Sequence, residues 1–126
     1  MNLVDSSAWL EYLADGPDAD AFESTITLTR DLLVPVICIY EVFKRIIQQR
    51  DEGSALRAVA LMQQGTVAEL DSNIALRAAK RSIEYKLPMA DAIILATAQE
   101  YDAVIWTQDA DFKDIEGVKY FPKTTT

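Results

Sequence analysis

Leu87-Pro88-Met89-Ala90-Asp91-Ala92-Ile93-Ile94-Leu95-Ala96-Thr97-Ala98-Gln99 carries a single carboxylate at the head of an otherwise almost wholly apolar run. Pro88 suits the approach to a helix, where its missing N–H leaves nothing unpaired. Asp91, Ile94, Leu95 and Ala98 then share one stripe at helical spacing. With apolar residues nearly all round, this helix is predicted to be buried. A carboxylate withdrawn from water in such a place needs a partner, a set of hydrogen bonds or a cation.

Outward from that helix, short apolar strands alternate with helical patterns. Residues 2–5 read as a strand feeding a helix that Ser6 or Ser7 can cap. Its apolar side holds Ala8, Trp9, Leu10, Tyr12 and Leu13, and Asp15-Gly16-Pro17-Asp18 stops it. A second helix is predicted over residues 19–26 and a buried strand over residues 31–37, ending near Pro35. Ile39, Val42, Phe43, Ile46 and Ile47 then mark an amphipathic helix that ends by Gly53. Residues 54–64 repeat the helical pattern through Leu56, Val59, Ala60 and Leu61, giving a hairpin closed by Gly65. Residues 66–70 read as a strand, and Asp71-Ser72-Asn73 caps a helix to about Tyr85 with Leu76, Ala79 and Ile83 facing inward. Beyond the Asp91 helix come a strand over residues 103–106, a turn from Thr107 to Asp111, a last strand over residues 118–121 and a frayed tail from Lys123. Such alternation predicts a mainly parallel sheet covered on both faces, whose ligands lie beyond the carboxyl ends of its strands.

A chain of 126 residues, half of them hydrophobic, supplies the core of one domain, expected to span residues 1–126. Asp5 interrupts the apolar start, and the longest uncharged apolar run, residues 32–40, is too short to span a bilayer. The expectation is a soluble, cytoplasmic protein with no membrane partner. One cysteine and no histidine exclude an internal disulfide, His/Cys zinc sites and Ser-His-Asp triads. Twenty acids against twelve bases give a net charge of −8, which disfavours passive binding to nucleic acid and favours a basic partner or a bound cation.

The acids themselves are suggestive. Asp5 ends the first strand, Asp109 follows the fourth, and Asp91 begins the helix between, so the fold would gather three carboxylates at one sheet edge. Gathered acids repel one another unless a divalent cation supplies the missing charge. With carboxylates as the strong ligands, the expected ion is Mg²⁺ or Mn²⁺, which suits phosphoryl chemistry. Each acid also has a structural reading: Asp5 as a helix cap, Asp91 as a first-turn acid, Asp109 and Asp111 as ordinary turn residues. Periodicity alone makes Glu41 a surface partner of Arg45. Arg77, Lys80 and Arg81, with Lys86, form the one concentrated basic surface, a solvated helix face or a nucleic-acid contact.

Val4-Asp5-Ser6-Ser7, Tyr40-Glu41-Val42, the segment from Ala90 to Ala98 and Thr107-Gln108-Asp109-Ala110-Asp111-Phe112 together resemble the ordered motifs of PIN domains, and most closely those of VapC toxins of type II toxin–antitoxin modules. The resemblance implies a three-layer α/β/α fold and a Mg²⁺-dependent endoribonuclease restrained by a VapB-type antitoxin, with a homodimer expected. It matches Asp5 and Asp91 to the principal metal-binding acids, Glu41 and Asp109 to the rest of the quartet, and Thr107 to the hydroxyl residue beside it. Ser6 and Asp111 belong to the same motifs in supporting roles. It also sets aside the periodicity reading of Glu41, whose face would border the cleft. Lys44, Arg45, Arg77, Lys80 and Arg81 are the candidates for contacting the RNA backbone. Three other readings stand beside this one: a solitary RNA-processing PIN nuclease, a phospho-accepting receiver-like domain and a non-catalytic binding domain.

Overall fold

The computed structural model describes residues 1–124. Five parallel strands form one sheet: β1 (Asn2–Val4), β2 (Leu32–Pro35), β3 (Thr66–Ala68), β4 (Val104–Thr107) and β5 (Val118–Tyr120), in the order β3-β2-β1-β4-β5. Six α-helices connect them and complete an α/β/α arrangement: α1 (Ser6–Leu13), α2 (Asp20–Thr27), α3 (Val36–Gln49), α4 (Glu52–Met62), α5 (Ser72–Tyr85) and α6 (Met89–Glu100). Leu3, Val4, Leu32, Leu33, Val34 and Ile105 are buried in the inner strands, as expected of a sheet covered on both faces. Among the described residues no helix is long and apolar enough to cross a membrane.

The chain leaves β1 towards β2 and later returns to β4 on the other side of β1. That reversal opens a crevice at the carboxyl ends of the two strands. Register sets what stands there: Val4 pairs with Trp106, and the Asp5 N–H donates to the Trp106 carbonyl at 3.1 Å, so Asp5 and Thr107 leave the sheet side by side. At the opposite flank, a Cβ on Gly65 would meet the Leu32 carbonyl at 2.9 Å, so the close approach of β3 to β2 requires glycine there.

The predicted elements are all present, but two helices bury a different face. On α5 the inward residues are Ile74 and Ala78, whereas Leu76, Ala79 and Ile83 are exposed, Ile83 by 82%. The reason lies in the neighbour. α6 is buried from Ala92 to Ala98, and the helix against it offers small Ala78 and the stem of Arg81, whose guanidinium escapes to Gln99 Oε1 at 3.1 Å. On α4, likewise, Ala55, Ala58 and Met62 face inward and Leu56 and Ala60 do not. On α3 the buried stripe is Cys38, Val42 and Ile46, leaving Ile39 and Phe43 half-buried and Ile47 exposed. The cap of α1 is Asp5 rather than Ser6 or Ser7. Fraying of the tail was expected from Lys123; Thr124 is instead hydrogen-bonded to Asp18, while Thr125 and Thr126 lie outside the described residues.

Candidate metal centre and its cleft

Asp5 is buried where β1 turns into α1. Its Oδ1 accepts from the Ala8 N–H at 3.1 Å and from Ser7 Oγ at 2.7 Å, and its Oδ2 accepts from Thr107 Oγ1 at 2.6 Å. Burial pushes its carboxyl up to about 6, against those three hydrogen bonds, which favour the charged form. Thr107 is itself oriented, because its Oγ1 accepts the Asp109 N–H at 2.8 Å. Ser7 Oγ in turn accepts the Gln108 N–H at 3.1 Å. The two hydroxyls therefore stitch the ends of β1 and β4 together around one carboxylate.

Asp91 stands half-buried in the first turn of α6, facing the loop after β4. One carboxylate oxygen from each of Asp91, Asp109 and Asp111 lies within 4.8 Å of the others. The Asp111 N–H donates to Asp109 Oδ1 at 2.9 Å, which closes the short helical turn after Asp109 and brings both acids to the same side. Burial, then the Asp109 and Asp111 carboxylates beside it, push the Asp91 carboxyl up to about 8. Such acids fit a hard divalent cation, because oxygen ligands at this spacing are what one coordinates and its charge would offset the burial and repulsion that push the Asp91 carboxyl up.

One cleft of about 980 Å³ is lined by four of the five acids that the sequence singled out, Asp5, Glu41, Asp91 and Asp109, together with Ser6; Asp111 and Thr107 are not in its lining. Ser6 Oγ donates to Glu41 Oε1 at 2.7 Å, so α1 and α3 hold Glu41 towards the cleft. Asp111, given a supporting place in the sequence, sits among the clustered acids, whereas Asp5 is set behind them, enclosed by hydroxyls.

The basic candidates divide. Arg45 lines the cleft, but Lys44 lies over the Tyr40 ring, its Nζ 5.7 Å from the centroid. Arg77, Lys80 and Arg81 are not in the cleft lining. Arg77 pairs with Glu100 at 3.4 Å, and Arg81 bonds Gln99 and Glu84. Gln99 and Glu100 close the far end of α6, roughly 12 Å along the helix from Asp91 at 1.5 Å per residue. The cations that do share the cleft with Arg45 are Arg50, Arg57 and Lys123, which the sequence reading missed. Arg50 and Arg57 flank Gly53 at the hairpin of α3 and α4, and their convergence with Arg45 depends on how that hairpin packs.

The family model of the PIN domain matches residues 3–118. No curated protein matches the sequence. Among solved structures, a chain of a toxin–antitoxin complex from Klebsiella pneumoniae superposes with a TM-score of 0.83 at 25% identity, covering 98% of this chain and 100% of that one. VapC20 from Mycobacterium tuberculosis, a toxin that cleaves the sarcin–ricin loop, gives 0.76 at 15% identity over 94% of this chain and 97% of its own. DNA-bound VapBC from Salmonella typhimurium gives 0.74 at 15% identity, covering 97% of this chain and 98% of that chain.

Proposed function

The chain belongs to the PIN domain family, and on that premise we propose that it is the toxin of a type II toxin–antitoxin pair, a divalent-cation-dependent endoribonuclease. The observation that carries this reading is the convergence of Asp91 and Asp109, with Asp111 clustered beside them, at a cleft shared with Asp5 and Glu41, at the switch point of the sheet. Asp91 and Asp109 are the direct holders of the cation, with Asp111 beside them and Asp5 and Glu41 completing the set directly or through water. The ion is Mg²⁺, with Mn²⁺ able to replace it, since the donors are all hard oxygens. Held by these acids, such an ion would neutralise phosphate charge and lower the pKa of an attacking water.

The remaining work falls to the chain. Burial and the neighbouring acids push the Asp91 carboxyl up to about 8, so a cation held there would favour its charged form and its binding would release protons. Thr107 and Ser7 keep the Asp5 carboxylate in one orientation. Arg45, Arg50 and Arg57 offer the cleft's basic contacts to RNA phosphates, which lets an acidic protein bind RNA locally. A VapB-type antitoxin is the partner, and the net charge of −8 favours a basic segment in it.

The likeness to toxin–antitoxin proteins favours this reading over a solitary RNA-processing nuclease. The receiver-like reading is not favoured, because the Asp5 carboxylate is enclosed by three donors in a PIN domain. Intact acids likewise disfavour a non-catalytic binding domain. The test is incubation of purified protein with structured RNAs in Mg²⁺ or in EDTA, followed by analysis of the ends. Cleavage only with the cation, leaving 5′-phosphate and 3′-hydroxyl ends, is expected; cleavage in EDTA or 2′,3′-cyclic phosphate ends would overturn the mechanism.

A further inference from the structure

The segment after β5 is held at two points. The Phe121 N–H donates to the Thr107 carbonyl at 2.8 Å, and the Phe121 ring stacks on Trp106 at 5.6 Å and meets Phe22 edge-on at 5.2 Å. Three residues later, both Thr124 donors end on the Asp18 carboxylate: the N–H on Oδ2 at 2.8 Å and Oγ1 on Oδ1. Between these anchors stand Pro122, which stiffens the backbone, and Lys123, which lines the cleft.

Asp18 takes a third donor, Gln108 Nε2, at 2.9 Å on Oδ2. Gln108 is buried beside Asp109, and its own N–H donates to Ser7 Oγ, which donates to Asp5. A carboxylate accepts only, so the Gln108 amide must present its nitrogen to Asp18. Its Oε1 then finds no partner among the described residues. Leaving a buried acceptor unpaired is unfavourable, so the contact with Asp18 sets the orientation of this side chain. A hydrogen-bonded chain thus runs from Thr124 through Asp18, Gln108 and Ser7 to Asp5.

We propose that Asp18 is a positioning residue, a latch that holds the segment after β5 against the turn between α1 and α2. It thereby fixes Lys123 in the cleft as a contact for the RNA backbone. The inference rests on the nuclease reading for its ligand, but the latch itself does not. It adds a phosphate contact from an element unconnected with the α3–α4 hairpin, so the bound strand is gripped from two separate parts of the chain. Asp18 touches neither RNA nor cation; it acts through Lys123 and Gln108.

The test uses the full chain and the variants Asp18→Asn, Lys123→Ala and Lys123→Arg. Asparagine keeps the size of Asp18 but turns an NH₂ towards donors. Hydrogen exchange of the Thr124 amide reads the latch directly: protection is expected to fall in Asp18→Asn and to persist in Lys123→Ala. Steady-state cleavage reads its use. Lys123→Ala should raise KM for RNA severalfold, with the loss appearing in KM rather than kcat. The slope of log KM against log salt should become shallower by about 0.7, the value for one single-strand phosphate contact. Asp18→Asn should reproduce that change, the double variant should add nothing, and Lys123→Arg should restore the parent slope. Unchanged Thr124 protection in Asp18→Asn would overturn the latch, and an unchanged salt slope in Lys123→Ala would overturn its RNA contact. A fall in kcat alone in Asp18→Asn would mean that the residue merely supports the acids. A parent protein that cleaves no RNA would overturn the nuclease reading and the role of Lys123, with the Thr124 amide still deciding whether the latch exists.

Discussion

Asp91 carries its charge at a cost, and the cost has a direction that can be measured. Without a cation, burial and then the Asp109 and Asp111 carboxylates beside it push its carboxyl up to about 8, so replacement by asparagine removes both the burial of a charge and the repulsion. Asp91→Asn should therefore leave the thermal midpoint of the EDTA-treated protein unchanged or raise it. A large fall would show that the carboxylate serves the fold. Thr107 makes the opposite prediction. Its buried hydroxyl bonds both Asp5 and the Asp109 N–H, so Thr107→Val leaves two polar groups without a partner. Stability should drop by about 1–3 kcal/mol in chemical denaturation. Cation affinity should fall about 10- to 100-fold by calorimetry, as for groups that orient a ligand without binding the metal. Asp5, Asp91 and Asp109 were legible because each stands at a point where a strand or helix changes, and order along the chain gave those points. The position of Asp111 next to Asp91 and Asp109 was not, since it depends on the tight turn that folds its carboxylate beside Asp109.

Helix orientation is where reading the chain stopped short. Residues 74–85 contain two stripes compatible with a period of 3.6, and hydropathy alone selects the one with Leu76 and Ile83, which holds two large apolar side chains against the single Ile74 of the other. The structure buries Ile74 and Ala78 instead: Ile74 fills the core, and small Ala78 lets α5 pack closely against α6. Substitutions separate the two: Ile74→Ala should cost about 2–5 kcal/mol in urea denaturation, whereas Leu76→Ser and Ile83→Ser should stay within about 0.5 kcal/mol of the parent. The same difficulty hid Arg50 and Arg57, whose meeting with Arg45 in the cleft is a property of the packed α3–α4 hairpin. It also gave undue weight to Arg77, Lys80 and Arg81, which cluster in sequence but lie away from the acids, two of them paired around the far end of α6.

At the scale of the whole molecule, the site sets a pH dependence that a cation should abolish. Asp5 and Asp91 are raised from 3.8 to about 6 and about 8, so the native state binds more protons than the unfolded state between these values. Stability of the cation-free protein should accordingly fall as pH rises from about 4 to about 8. Asp18 and Asp51 are lowered, chiefly by hydrogen bonds from Thr124 and from the Ser54 N–H; what they contribute is present above the ordinary carboxylate range and lost below it. The thermal midpoint in EDTA should thus peak on the acidic side of neutrality, and millimolar Mn²⁺ should flatten the decline above it. A midpoint in EDTA that rises steadily towards pH 8 would contradict this. The parallel sheet, its strand order and the gathering of acids at its switch point make one device, in which the topology carries distant carboxylates to a single edge.

The most direct test of that device is the rate of RNA cleavage by Asp91→Asn in saturating Mg²⁺, compared with the parent protein on the same RNA and with folding checked by its thermal midpoint. The acidic site described above predicts a folded protein with no detectable cleavage; a folded Asp91→Asn that cleaves at the parental rate would contradict it.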